Sequence, residues 1–203
     1  MLHRPAYYQL ALTYDKETRI THGLLLAMTN RGAEFGRLLN SLQDRLDYCE
    51  QPFILAASVA ELVIDCCAAR IEQVNVDLNT LEEESGLHRH RNRPKGHPLQ
   101  MNFMEAIEVL HFSNRTLGYE TMRLKFVLPT LTQMATETKR IGAPKKGHGR
   151  DERRFLVLDG CRMMEESTQR LRQYTKNLLL RARFQDSRVH TQLTVARDSV
   201  LIK

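Results

Sequence analysis

The chain has 203 residues, of which 42% are hydrophobic and 27% charged, with a formal net charge of +6. That is enough apolar material for the core of one large domain or two small ones, and too much for a disordered chain. The mild positive charge permits acidic partners, phospholipid headgroups or nucleic acid, but tryptophan is absent and aromatics are only 6%, so a base-stacking platform is poorly supplied.

The N-terminus, Met1-Leu-His-Arg-Pro-Ala6, carries no apolar run and predicts no secretory signal. Residues 6–14 alternate, with Tyr8, Leu10, Leu12 and Tyr14 on one face, and a polar turn, Asp15–Arg19, leads to a second apolar run, Gly23–Met28. Two short runs around a polar turn predict a β-hairpin, which is marginal in water and must lie on other elements or on a partner. Phe35, Leu39, Leu42, Leu46 and Cys49 then step by four and three, predicting a first helix that stops before Gln51-Pro52.

The strongest pattern follows. Phe53, Ala57, Ala60, Ile64, Cys67, Ile71, Val74, Leu78 and Leu81 hold a 3.5-residue period without a break, from Pro52 at the predicted start to Gly86 at the predicted stop. Glu61 and Asp65 interrupt the part nearest in character to a membrane span, so the stretch predicts a helix buried in protein. Residues 87–98 crowd His88, Arg89, His90, Arg91, Arg93, Lys95 and His97 among prolines and a glycine, and predict a loop.

Asn102 and Glu105 have the spacing of a capping box. A third helix is predicted with Phe103, Ile107, Leu110, Asn114, Leu117, Thr121, Leu124, Leu128, Leu131 and Ala135 inward, Asn114 acting as a buried register device and Pro129 kinking the helix. Ile141–Arg150, with Gly142, Pro144, Lys145, Lys146, Gly147, His148 and Gly149, predicts a second, basic loop. The fourth helix carries Val157, Cys161, Met164, Thr168, Leu171, Thr175, Leu178, Ala182, Gln185 and Val189 at the same period.

The predicted fold is therefore mainly α with an N-terminal hairpin: residues 1–50 form the hairpin and a short helix, and residues 51–203 form three long antiparallel, coiled-coil-like helices. Four cysteines, at 49, 66, 67 and 161, make no C-x-x-C pair and read as reduced thiols in a reducing, cytoplasmic setting.

No Gly-x-Ser-x-Gly, His-Glu-x-x-His or Gly-x-Gly-x-x-Gly frame is present, so the sequence predicts a non-enzymatic protein without cofactor. His88, His90 and His97 have imidazoles that suit zinc or nickel, but their loop is loose and crowded with cations. Glu82, Glu83 and Glu84 could hold Mg²⁺ through water, against the plainer reading of a solvated helix end. The basic loops could meet phosphates, although no nucleic-acid-binding frame accompanies them.

Several stretches resemble the CorA-like proteins of fungi, distant relatives of the CorA and ZntB divalent-cation transporters. Leu10-Ala-Leu-Thr-Tyr-Asp-Lys-Glu-Thr-Arg-Ile-Thr-His-Gly-Leu24 looks like the family's hairpin, and Pro52-Phe-Ile-Leu55 with Ala60-Glu-Leu62 resembles its entry into the first long helix. Glu82-Glu-Glu-Ser-Gly-Leu-His88 looks like the exit from that helix, while Leu179–Phe184 and Arg188–Val195 resemble the end of the stalk helix. The resemblance implies a cytoplasmic α/β unit with long helices, and Mg²⁺ as a possible ion. The Gly-Met-Asn pore signature and the two membrane helices have no counterpart here. The expectation is a soluble helical protein acting by protein–protein association. The alternatives are the cytoplasmic part of a truncated divalent-cation transporter, and a binder of anionic membrane or nucleic acid. On this reading the fourth helix overhangs a shortened third helix. Leu171, Leu178, Ala182, Val189 and Leu193 would then form the interface of a homo-oligomer, most simply a homodimer.

Overall fold

The computed structural model describes residues 7–15, 18, 20–28, 32–44, 51–85, 102–142 and 152–201. Strands β1 (Tyr7–Tyr14) and β2 (Thr21–Met28) are followed by α1 (Gly32–Gln43), α2 (Ile54–Glu84), α3 (Phe103–Gly142) and α4 (Glu152–Leu201). The chain is thus mainly α with an N-terminal antiparallel hairpin. It divides into two compact units that do not follow chain order: residues 1–64 with 127–174, and residues 65–126 with 175–203.

In the first unit the hairpin pairs Tyr7 with Met28 through to Tyr14 with Thr21. Asp15 closes it, its N–H donating to the Ile20 carbonyl and its carboxylate accepting from the Thr18 hydroxyl. Tyr8, Leu10, Leu12 and Tyr14 are half-buried while Gln9, Ala11 and Thr13 are exposed, as the alternation predicts. The inner face lies against the start of α2, and the fit depends on Gly23: a Cβ there would stand 2.7 Å from Leu55 Cδ2. The four consecutive residues Ala57–Ala60 are all buried, so this end of α2 is covered on more than one side. Leu38, Leu131, Met134, Cys161, Met164 and Leu171 complete the core of this unit. α1 differs from its predicted course. It ends at Gln43, and its inward residue is Leu38 while Leu39 is exposed. Leu46 and Cys49 lie outside the described residues.

The core of the second unit follows a 3.5-residue period. α2 buries Cys67, Ile71, Val74, Leu78 and Leu81, as the sequence predicts. α4 buries Thr175, Leu178, Ala182, Gln185 and Val189, and continues the row through Gln192 and Ala196. α2 and α4 run parallel in this unit, since Glu72 meets Arg181 and Glu82 meets Arg188. α3 keeps the predicted period and buries Leu110, Leu117, Leu124 and Leu131 as predicted, but the alternate positions of the row are shifted by one residue. Its buried row is Ala106, Leu110, Ser113, Leu117, Glu120 and Leu124, continued in the first unit by Val127, Leu131, Met134 and Thr138. Ile107, Asn114 and Thr121 stand beside that row, half-buried. At the alternate positions the prediction took Ile107, Asn114, Thr121, Leu128 and Ala135, each one residue past the buried Ala106, Ser113, Glu120, Val127 and Met134. α3 continues as helix through Pro129, whose ring is on the exposed side.

The start of α3 carries half of the expected capping box: the Glu105 N–H points at Asn102 Oδ1 at 3.5 Å, while the Glu105 carboxylate accepts from the Asn102 side-chain amide in place of its backbone N–H. Among the described residues no helix is long and apolar enough to cross a membrane.

Candidate functional site

The residues with chemistry in the second unit sit on its buried rows or directly beside them. Glu120 takes a seam position on α3 and is 0% exposed. Arg70 of α2 reaches one carboxylate oxygen at 2.8 Å and Arg123 reaches the other at 3.0 Å. Both oxygens are therefore occupied, which is what a carboxylate needs in order to stay in such a place. Cys67 lies beside it. Burial first, and then the Glu120 charge, push its thiol well above the ordinary cysteine range, so it stays protonated and is a poor nucleophile.

A second network ties α2 to α4. Arg188 donates to Glu82 (2.9 Å), Asn75 (2.8 Å), Asn79 (2.7 Å) and Gln185 (2.8 Å), and its guanidinium lies 6.0 Å from the Phe184 ring centre. Gln185 also donates to Asn75. Glu82, weighed in the sequence as an Mg²⁺ contact, thus has both oxygens on Arg188. Glu83 is half-buried and Glu84 exposed. Among the described residues no three His, Cys, Asp or Glu side chains gather as a metal site would require. His88, His90 and His97 lie outside the described residues.

The proposed α4 interface needs correction. Leu171, Leu178, Ala182 and Val189 are buried within the single chain and Leu193 is half-buried, so the row is not a free surface. The sequence reading set the distal part of α4 beyond the reach of a shortened α3. In the second unit it is instead the N-terminal half of α3, with α2, that shares the core with residues 175–201. Asn114 is half-buried beside the seam, and Ser113 occupies the seam itself.

In the first unit Cys161 donates through its thiol to Gln51 Oε1 at 3.4 Å. Gln51 is drawn close to α4 because Gly160 has no side chain: a Cβ there would lie 2.5 Å from Gln51 Nε2. Burial raises the Cys161 thiol, with the Gln51 bond opposing it. Among the described residues Cys66, Cys67 and Cys161 form no disulfide.

What the sequence reading missed is on the outside of α3. Glu105, Glu108, Phe112, Arg115, Tyr119, Met122 and Phe126 step by three and four on the side away from the buried row. All are exposed except Tyr119, which is half-buried with Arg123 5.8 Å from its ring centre. Phe112 is 58% exposed, Met122 68% and Phe126 76%. The signal was available: α3 holds large apolar residues at more heptad positions than one buried seam can use. Phe112 and Glu108 also border an open groove of about 490 Å³ between the end of α2 and the start of α3. Exposed leucines on β2, Leu24 and Leu26, form a second and smaller apolar surface in the first unit.

Comparisons with protein-family models, with curated proteins and with solved structures gave no match.

Proposed function

We propose that this chain is a non-enzymatic helical protein that acts by binding other protein, with the outer row of α3 as its contact surface. The observation that carries the reading is the pairing of two rows on one helix. One row is packed inside the chain, and the other displays Phe112, Met122 and Phe126 to solvent at the spacing by which helices pack on helices. Large exposed apolar groups at such spacing mark interaction surfaces more often than they serve the isolated chain. The CorA-like resemblance enters as the proposed family on the residues quoted for it, and the thiol usage supports a reducing, cytoplasmic setting.

The test is site-specific photocrosslinking in living cells. A photoreactive phenylalanine at position 112 or 126 should give covalent protein adducts, and the same group at the exposed polar position Gln133 should not. Adducts should disappear when Met122→Asp is added. Equal yields at all three positions, or none at any, would contradict the reading.

A further inference from the structure

We infer that the outer row of α3 binds a second copy of this chain, α3 against α3 in antiparallel register. The inference rests on the association reading above and names its partner. Along the row the acids come first and the bases later: Glu105 and Glu108 precede Arg115, and Lys125 flanks the far end, next to Phe126 in the chain. Glu108, Arg115 and Lys125 are all exposed. A parallel pair would set each of these charges on its own copy, acid on acid and base on base, which helix pairs avoid.

The antiparallel arrangement reverses that. Placing Phe112 opposite Met122 of the second copy puts Arg115 opposite Tyr119, where a guanidinium over an aromatic face is favourable. The same register sets Glu108 opposite Phe126 with Lys125 beside it, so the acid of one copy meets the base of the other at both ends. The layers then read Phe–Met and Arg–Tyr, repeated about a two-fold axis near Gly118. A Cβ at Gly118 would have nothing within 4 Å, so the surface there is open and lacks a side chain to hold the helices apart. The contact spans residues 108–126, roughly 27 Å of helix at 1.5 Å per residue. Each element of it lies on one helix face, and the symmetry uses that face twice, as an isologous interface must.

One helix on one helix is a small interface, so the association should be weak and concentration-dependent. Static light scattering on the purified chain up to roughly 100 µM tests it. The wild type should become dimeric over that range, and Met122→Asp should remain monomeric with an unchanged circular dichroism melt. Glu108→Lys or Lys125→Glu alone should weaken dimerisation by roughly fivefold, and the two together should restore it. A monomeric wild type would overturn the inference, as would a dimer indifferent to Met122→Asp or a double exchange that fails to restore. Site-dependent adducts in cells from a chain that is monomeric when purified would overturn only the second copy as partner. Loss of those adducts as well would remove the association reading itself.

Discussion

Glu120 shows how much a single residue decides in this chain. A carboxylate in a helix seam is costly unless its partners are in place, and here Arg70 and Arg123 supply one contact to each oxygen. Removing both cations would leave an uncompensated buried charge. The double variant Arg70→Met/Arg123→Met should lose about 3–5 kcal/mol of stability in urea unfolding. Adding Glu120→Met should recover most of that loss, because a seam of apolar groups of similar volume needs no counter-charge. A triple variant as unstable as the double would show that the arginines act through packing and not through the carboxylate. The position also explains a misreading, since a glutamate between Tyr119 and Thr121 carries no sequence sign of burial. Its burial is visible only once Arg70, fifty positions earlier, is seen to face it.

At the scale of elements, periodicity told most of the story. The row of α2 from Ala57 to Leu81 and that of α4 from Cys161 to Val189 are buried as their spacing demands. Polar members of such rows are accommodated locally: the Thr168 hydroxyl of α4 donates back to the Met164 carbonyl, and Thr138 of α3 does the same to Met134. What spacing could not reveal was phase where two apolar choices compete. α3 has both Ala106 and Ile107, and α1 both Leu38 and Leu39, and in each case a neighbouring element chose. Nor could spacing identify the polar fasteners between α2 and α4. Arg188 reaches four acceptors there, three of them on α2, and so sets the parallel register of the two segments. Arg188→Met should keep the apolar stem but strand the half-buried Glu82 carboxylate, lowering stability by about 2 kcal/mol. Arg181→Met, on a pair that is about half exposed, should change it by less than about 1 kcal/mol. Equal effects of the two changes would remove Arg188 from its place as the principal fastener.

For the whole molecule, the sequence showed the class and the order of elements, because hydrophobic period and punctuation are local properties. The surface that gives the chain its proposed work was not legible in the same way. The surplus of large apolar residues on α3 is visible in the sequence, but only the buried row shows that Phe112, Met122 and Phe126 are the ones turned outward. The same comparison withdraws the interface first expected on α4, whose apolar row is used up inside the chain. The central claim is that α3 is a two-sided helix, packed on its own chain by one row and on a second copy of the chain by the other. Hydroxyl-radical footprinting of methionines measures this directly, with Met163, exposed in the first unit, as internal reference. Between roughly 1 and 100 µM protein, Met122 oxidation should slow severalfold while Met163 oxidation stays constant. An unchanged Met122 rate across that range, or equal slowing of both methionines, would contradict the claim.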